Sequence, residues 1–555
     1  MLSVWIVRVP VRVLVPVLVL VPVLLSDVAR GFQPSVPAAD VGNKPERLEW
    51  FRDLGFGLFI HWSIDSQIGS VISHSLVGAD EGYIDRFLAL PRTFNPTRYN
   101  PRDWAVLAKL AGMKYVVFTT KHHSGFAMYD TKTTDFGIMH TPYGKDVTAD
   151  LVKAFREQGL AIGFYFSPDD FHYLHTKGVT IARAPHAGVT PKEAPGLLDY
   201  DRAQLRELLT NYGAIDILFI DGPPEGLREL AWELQPNIVV TRGAIETPEQ
   251  RIPGLAIDRP WESCITMGTA WQYKPTHEQY KSGTELVELL VETRAKGGNL
   301  LLNVGPKPDG TLAIEQEERL RELALWNIAF GESIGPVRPW VITNEGNVWL
   351  ARKKNASTVF AYISRVGTWT LGEKRTITLR SVKASAATRV RVLSQTGRVL
   401  EYRPDVDPLP SWKQDESGLH VTVTMAQRLY DDRRWTDPVV VEITGAEAAM
   451  TPPSVETGVG SRRSASIATL AAVLKDLGRA ASVDVGFQYR RKKGTEELYE
   501  KDEPWIDTPL VPRGAPGGFN AEIGGLAAGQ AYEYRAVVRH PLVTIHGEDR
   551  VVPPR

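Results

Sequence analysis

The chain has 555 residues, of which 43% are hydrophobic and 23% charged, a composition typical of a globular protein with several domains. The 64 Lys and Arg residues nearly balance the 65 Asp and Glu residues. This balance argues against a dedicated nucleic-acid-binding protein, because such proteins need a basic surface to neutralise phosphates. The single cysteine, Cys264, excludes an intrachain disulfide and a zinc site built on several cysteines.

Residues 1–30 predict a signal peptide. Arg8 and Arg12 supply positive charge, and the run 13–25 that follows is wholly apolar. This run is short for a membrane span, which needs about 20 residues, and it is typical of the apolar region of a signal peptide. We therefore expect export from the cell or to a periplasm, with no membrane span after signal removal; an uncleaved anchor is the alternative. Residues 31–47 predict a linker.

Residues 48–338 predict a (β/α)₈-like catalytic barrel of the TIM type. Short apolar runs without strict alternation are typical of strands covered on both faces. The predicted strands are 56–62, 114–120, 161–166, 215–220, 237–242 and 299–304, with 69–73 and 262–267 completing the eight. The predicted helices between them are 102–111, 149–158, 200–212, 285–295 and 314–330. Because strands and helices alternate over such a length, a closed barrel is favoured over an open sheet.

The pattern changes after the barrel. Residues 339–445 contain alternating, β-branched runs separated by turn residues, which predict an antiparallel β-sandwich. A linker is predicted at 446–457. Residues 458–555 predict a second, smaller β-sandwich that resembles a fibronectin type III module.

Polar side chains follow the predicted barrel strands at the same end, where barrel enzymes place their active sites. They are His61 at the end of the first strand, His122 and His123 after the second, Tyr165 at the end of the third, Asp221 after the fourth and Arg242 at the end of the fifth. Five strands that each deliver a polar group to one end indicate a site more strongly than any single residue does.

A hydrolase acting on glycosidic bonds needs two carboxyl groups, one ionised and one protonated. Asp221 ends an apolar run and fits the ionised nucleophile or base. For the protonated acid, Glu262 is the first choice, because the neighbouring Trp261 would desolvate it and raise its pKa. Glu249 is the alternative acid, and Glu246 in the same loop is a further competitor.

The adjacent His122 and His123 also suggest a metal site, but neighbouring residues at a strand end point to opposite sides. We therefore interpret His61, His122 and His123 as hydrogen-bond partners of sugar hydroxyls, since an imidazole offers both a donor and an acceptor. No metal and no cofactor is predicted. A metal-dependent barrel hydrolase using these histidines and Asp221 stays open as an alternative.

Several runs of the sequence resemble the α-L-fucosidases of glycoside hydrolase family 29. The similarity covers residues 48–345, and the runs KHHSGF and GGNLLLNVGP are its specific motifs. The runs that carry it are Phe56–Trp62, Lys114–Phe126, Phe219–Gly222, Trp261 and Glu262 followed by Trp271, and Gly297–Pro306. The resemblance implies a catalytic barrel followed by a β-sandwich, and hydrolysis of a terminal α-L-fucosyl residue with retention.

The same resemblance implies roles for individual residues. Asp221 forms the covalent fucosyl intermediate, Arg242 lies near it, and a fucosylated glycan is the partner. The remaining predicted sugar contacts are His61, His122, His123, Tyr165 and Trp271. The family's Glu-Trp-Tyr motif is matched only by Glu81-Gly82-Tyr83, in which Glu81 is predicted to reach a hydroxyl. The lost tryptophan leaves open a carbohydrate-binding protein without catalysis.

Overall fold

The computed structural model describes residues 42–183, 189–191, 194–257, 259–364, 367, 369–395, 403–426, 438–478, 480–493, 503–540 and 543–554. The predicted signal peptide and nearly all of the predicted linker 31–47 lie outside these residues. Helix α1 begins at Pro45, inside the predicted linker. Among the described residues, no helix has both the length and the apolarity needed to cross a membrane.

The first part of the chain forms a curled parallel sheet with helices between its strands, as the sequence predicts. Its seven strands lie in the order β5-β4-β3-β2-β1-β7-β6. The strands are β1 Phe56–Ile60, β2 Tyr115–Lys121, β3 Ala161–Phe166, β4 Ile217–Ile220, β5 Val239–Val240, β6 Glu262–Thr266 and β7 Asn299–Val304. The helices are α1 Pro45–Leu54, α2 Glu81–Leu88, α3 Pro101–Leu110, α4 Val147–Glu157, α5 Phe171–Thr176, α6 Pro195–Asn211, α7 Arg228–Leu234, α8 Gly283–Ala295 and α9 Ile314–Phe330.

One predicted strand is wrong. Residues 69–73 form turns and irregular backbone instead of a strand. Gly69 has a φ of 67°, which takes the chain out of the extended region, and Val71 is left exposed. The predicted strand at 262–267 is present as β6.

A short segment, residues 246–250, takes part in the barrel wall. It follows β5 in the chain and forms two isolated parallel bridges to the β6 side, Glu246 with Trp261 and Glu249 with Cys264. The segment thus connects the two edge strands of the sheet. We call it the wall segment.

The barrel interior is filled by inward-facing side chains in layers, as in other parallel barrels. The middle of this core contains Phe59, Val117, Phe219, Cys264 and Leu301, all almost fully buried. A second, larger core packs the outer faces of the strands against the helices. These packed side chains occupy the middle of the barrel.

The remainder of the described chain is antiparallel β-structure around two further cores. The first sandwich consists of β8 Val337–Glu345, β9 Val348–Lys353, β10 Thr358–Ile363, β11 Lys374–Leu379, β12 Val382–Val392, β13 Ser411–Asp415, β14 Gly418–Thr424 and β15 Val439–Ala448. The second consists of β16 Ser454–Thr457, β17 Ser461–Arg462, β18 Ala468–Asp476, β19 Val483–Arg491, β20 Ile506–Asp507, β21 Val511–Arg513, β22 Gly517–Ile523, β23 Tyr532–Arg539, β24 Thr544–His546 and β25 Arg550–Val552. We call residues 454–554 the C-terminal β region. The predicted divisions at 338, 445 and 457 stay predictions.

Candidate active site

A pocket of about 370 Å³ opens at the carboxyl end of the barrel strands. Its walls combine aromatic rings with charged and polar groups, which is typical of a small-molecule site. The lining residues are Phe59, His61, Ser73, His122, Tyr165, Arg183, Phe219, Asp221, Arg242, Glu249, Cys264 and Trp271. Six of the residues predicted from the strand ends and the resemblance therefore meet here: His61, His122, Tyr165, Asp221, Arg242 and Trp271.

Asp221 is the first residue after β4, and its side chain is 17% exposed. Arg242 Nη1 lies 2.7 Å from its Oδ1, and the Tyr165 hydroxyl donates to its Oδ2 at 2.7 Å. Burial alone would raise the pKa of Asp221, but Arg242 and His123 outweigh burial and hold the pKa well below its usual range. Asp221 is therefore an ionised carboxylate fixed at the pocket.

A hydrogen-bonded chain leads from the backbone to Asp221 through His122 and Tyr165. The backbone N–H of His123 donates to His122 Nδ1 at 2.8 Å. Burial lowers the pKa of His122 well below its ordinary value, so the ring is neutral and its proton lies on Nε2. Nε2 lies 3.0 Å from the Tyr165 hydroxyl and donates to it, which leaves the tyrosine proton for Asp221.

His123 approaches the same carboxylate from a different direction. Its Nε2 lies 3.4 Å from Asp221 Oδ2, and its Nδ1 lies 2.5 Å from the Ser167 hydroxyl. His123 does not line the pocket. It therefore contacts the predicted nucleophile and not the space in which a sugar would bind.

His61 is oriented by Asn303. The Asn303 amide nitrogen donates to the Trp271 carbonyl at 2.7 Å, so its oxygen faces His61 Nδ1 at 2.6 Å. Burial lowers the pKa of His61 to about 3, and the neutral ring thus donates from Nδ1. The Nε2 lone pair is left as a hydrogen-bond acceptor, and the Trp271 ring lies 4.9 Å from the imidazole ring. Asn303 belongs to the GGNLLLNVGP run, but its side-chain role is visible only in three dimensions.

Glu249 lies opposite Asp221 across Arg242. Arg242 Nη2 is 3.0 Å from Glu249 Oε2, while Nη1 of the same guanidinium binds Asp221. The guanidinium also stacks over the Phe219 ring at 4.9 Å. The planar guanidinium of Arg242 therefore bridges the carboxyl groups of Asp221 and Glu249, both of which line the pocket.

Glu262 is placed differently, and the expectation that it faces the sugar is corrected. It is the first residue of β6 and pairs with Asn299, the first residue of β7, at the amino end of the barrel. Its carboxyl is fully buried and accepts the Tyr115 hydroxyl at 2.6 Å. Burial raises the pKa of Glu262 to about 7, as the sequence suggested, but Glu262 does not line the pocket. The neighbouring Trp261 thus correctly indicated that Glu262 is buried, but the prediction that Glu262 lies in the active site is wrong.

Glu81 also lies away from the pocket. It is the first residue of α2, follows the capping residue Asp80 and is exposed. The prediction that it reaches a sugar hydroxyl is not met. Glu246, the other competitor for the acid, forms an ion pair with Arg259 and lies outside the pocket.

Five lining residues were not predicted as site residues: Phe59, Phe219 and Cys264 on the strands, and Arg183 and Ser73 outside them. Arg183 contacts Asp169 Oδ2 at 3.3 Å and brings a second positive charge to the pocket wall. Ser73 comes from the turn region that the sequence suggested as a strand. Neither Arg183 nor Ser73 follows a barrel strand directly, so the strand-end pattern gave no signal for them.

The metal alternative has a geometric basis. Ligand atoms of His122, His123 and Asp221 lie within 4.8 Å of one another. The Arg242 guanidinium, however, lies 2.7 Å from Asp221, and both ring nitrogens of His122 already form hydrogen bonds. His61 is not part of this group. A cation would have to displace these contacts, so the site fits an organic ligand better.

The model of the family Alpha-L-fucosidase matches residues 28–332. The chain belongs to the alpha-L-fucosidase family. An alpha-L-fucosidase of Branchiostoma floridae is 29% identical over 403 residues, which are 63% of this chain and 87% of the relative.

Solved structures of the alpha-L-fucosidase family agree with the fold. Isoenzyme 1 of Paenibacillus thiaminolyticus is 28% identical, with a TM-score of 0.58 over 72% of this chain and 99% of its own. The Thermotoga maritima alpha-fucosidase in complex with fucose is 27% identical, with a TM-score of 0.57 over 73% of this chain and 98% of its own. This family fold accounts for the barrel and the following sandwich.

Proposed function

We propose that the chain is a retaining exo-glycosidase that releases terminal α-L-fucosyl residues from fucosylated glycans. The observation that supports this most strongly is the Arg242 guanidinium, which bridges the carboxyl groups of Asp221 and Glu249 at one pocket. Retaining hydrolysis needs two carboxyl groups about 5–5.5 Å apart. Membership of the alpha-L-fucosidase family supports the choice of sugar.

In this proposal Asp221 is the nucleophile and Glu249 the acid/base. The Asp221 carboxylate attacks the anomeric carbon while Glu249 gives its proton to the glycosidic oxygen, so the aglycone leaves as an alcohol. Glu249, now a carboxylate because it has given up its proton, takes a proton from water as the water attacks the anomeric carbon. The ester bond to Asp221 breaks, which restores the Asp221 carboxylate and releases fucose.

The residues around the two carboxyl groups either bind the sugar or hold Asp221 in this proposal. His61 Nε2 accepts a hydrogen bond from a sugar hydroxyl, and the Trp271 ring covers an apolar face of the sugar. The chain from His122 through Tyr165 stabilises the Asp221 carboxylate. His123 contacts the Asp221 carboxylate from the side that faces away from the pocket.

The nucleophile is tested with Asp221→Ala on 4-nitrophenyl α-L-fucoside. We expect activity to fall by a factor of about 10⁴ or more, since covalent catalysis is lost, and azide to restore part of it by entering the space of the carboxylate. Unchanged activity would sink the assignment. Binding of a glycan without turnover by the wild-type chain would favour the non-catalytic alternative, and inhibition by chelators would favour the metal-dependent one.

The acid/base is tested by comparing Glu249→Gln with Glu262→Gln, two isosteric changes with opposite expectations. Glu249→Gln should lower kcat/KM on substrates with poor leaving groups by about 10² or more, because general acid catalysis contributes 10²–10⁴. Glu262→Gln should leave kcat/KM unchanged. Early ¹H NMR spectra of wild-type hydrolysis should show α-L-fucose first, and a β product would rule out retention.

We also propose export through the N-terminal residues 1–30, supported by the charge and apolarity of that run. Leu18→Arg should interrupt the apolar run and prevent export, so that the fucosidase activity stays inside the expressing cells. Equal distribution of the wild-type and variant chains between cells and medium would contradict export.

A further inference from the structure

The wall segment carries Glu249, and β6 holds its inner side. Backbone N–H groups of Glu262 and Cys264 donate to the carbonyls of Glu246 and Pro248, both at 3.1 Å. The N–H of Gln250 donates back to Cys264 at 2.9 Å. These bonds fix the height of Glu249 beside the pocket, and the Ser263 hydroxyl donates to the carbonyl of Arg251, the first residue after the segment.

The backbone turns sharply directly after Glu249. Gln250 has a φ of 55°, in the left-handed region that a side chain rarely adopts. Its Oε1 accepts from the backbone N–H and the hydroxyl of Thr266, each at 3.2 Å. A strained residue of this kind persists only where its surroundings hold it. Cys264 and Thr266 of β6 hold Gln250 itself, and the course of the chain after this turn is set by the contacts of loop 251–257.

The C-terminal β region packs against this loop from outside the barrel. A Cβ at Gly254 would lie 2.6 Å from Asp549 Oδ1 and 3.1 Å from Arg535 Nη1, so the two parts are in close contact. Beside this contact lies a crevice of about 1150 Å³, with Pro253 to Ile257 on one wall and Val455 to Thr457 and Asp549 on the other.

The contacting groups are themselves held in place. Arg535 donates to Gln488 Oε1 at 2.8 Å and stacks over the Trp505 ring at 4.2 Å. On the barrel side, Lys296 Nζ donates to the Pro253 carbonyl at 2.7 Å. The loop thus lies between Lys296 of the barrel and side chains of the C-terminal β region that are themselves held by a hydrogen bond and a ring contact.

We infer that the C-terminal β region is a positioning element for the acid/base: it clamps loop 251–257 and thereby fixes Glu249 beside the pocket. The inference rests on the proposed function of Glu249 and assigns a catalytic purpose to a region that lies outside the family match. Asp549 and Gly254 are positioning residues, since neither touches the pocket.

The test uses the full chain with two substitutions that push the surfaces apart. Gly254→Val places methyl groups where Asp549 and Arg535 lie. Asp549→Lys puts a positive charge near four cations that act on position 549, namely Arg535, Arg251, Lys296 and Arg490. For each variant, kcat/KM is measured on aryl α-L-fucosides that range from 2,4-dinitrophenol to poor leaving groups, because only poor leaving groups need the acid.

Both variants should lose about tenfold or more in kcat/KM on poor leaving groups and keep wild-type kcat/KM on the dinitrophenyl substrate. The matched controls are Gly524→Val, at a glycine with open space around it, and Glu548→Lys, the same charge change at the exposed neighbour. Both controls should behave as wild type.

An unchanged dependence on the leaving group in folded variants, or an equal loss on all substrates, would overturn the inference. If Gly254→Val does not fold, Gly254→Ala makes the same contact with less bulk, and the same outcomes decide. Glu249→Gln is measured in parallel. If it lacks the leaving-group dependence, the acid/base assignment itself has failed; if it shows the dependence and the clamp variants do not, only the positioning role has.

Discussion

At the scale of single residues, two carboxyl groups of the barrel, Asp221 at the pocket and Glu262 at the amino end, lie in opposite surroundings. Asp221 has a guanidinium and a hydroxyl within 2.7 Å, and these keep it charged. The Glu262 carboxyl accepts from the Tyr115 hydroxyl, and burial raises its pKa to about 7, so it is mostly protonated below that pH. Glu262 is fully buried and Asp221 is partly exposed, but burial alone would raise the pKa of both, and the cationic partner decides the charge of Asp221.

Glu262→Gln should stabilise the protein progressively as the pH rises. In the folded chain the pKa of Glu262 is about 7, against 4.5 for the free side chain. Between these values the unfolded chain releases the proton and the folded chain retains it, so the wild-type protein loses stability as the pH rises. Glutamine does not titrate, and the advantage of the variant should approach roughly 3 kcal/mol above pH 7.

Thermal or urea unfolding at pH 4.5, 6 and 8 measures this difference. Glu416→Gln, at an exposed position, is the matched control and should show no such trend. A Glu262→Gln advantage that stays constant over this range would contradict a protonated Glu262.

Tyr165→Phe should weaken both the site and the fold. The variant removes the donor to Asp221 and leaves the buried Nε2–H of His122 without its acceptor. We expect a loss of about 1–3 kcal/mol in the free energy of unfolding, the cost of an unsatisfied buried donor, together with a lower kcat. Tyr489→Phe, a half-buried tyrosine of the C-terminal β region, is the control. Wild-type kcat and stability in Tyr165→Phe would argue against the hydrogen-bonded chain.

At the scale of elements, the barrel depends on small residues where large side chains cross its interior. Gly57 of β1 pairs with Tyr115 of β2, and the tyrosine ring passes directly over the glycine. The ring is also fixed at its far end by Glu262. The FGLFIHW run that identifies β1 is thus constrained by packing as well as by the site.

Gly57→Ala should destabilise the barrel. Its Cβ would lie 2.3 Å from the Tyr115 ring, and the ring has no free direction in which to move. Overpacking of this kind costs about 1–3 kcal/mol. Gly335→Ala, where the structure has nothing within 4 Å of the added Cβ, is the control in urea unfolding. Equal midpoints for the two variants would show that Tyr115 relaxes.

At the scale of the whole molecule, charged contacts join the barrel to the first sandwich. Asp53 in α1 lies 2.7 Å from both Arg338 and Lys354, and Glu49 one turn earlier contacts the same two cations. Buried hydrogen bonds add to them, such as that from Trp326 to the Pro438 carbonyl at 3.0 Å. These contacts extend along the interface and bind the two parts into one body.

Asp53→Asn should lower the free energy of unfolding by about 1 kcal/mol, the upper range for a partly exposed ion pair. The loss should shrink in 1 M salt, because salt screens the remaining charges. Glu46→Gln, exposed on the same helix, should have no effect. A salt-independent loss would point to packing in place of charge.

The sequence by itself determined most of the barrel strands and the position of Asp221 at the end of β4. It also determined that His61 and His122 lie at strand ends and that the chain resembles the α-L-fucosidase family. These follow from local patterns: a run of apolar residues specifies a buried strand, and the residue after it lies at the strand's end. Only the tertiary structure decided which acid faces Asp221, that Arg183 and Ser73 reach the pocket, and that Glu81 does not. The physical reason is register, because the pairing of the wall segment with β6 sets Glu249 at the mouth and Glu262 at the floor, and no local pattern encodes how segments distant in the chain align.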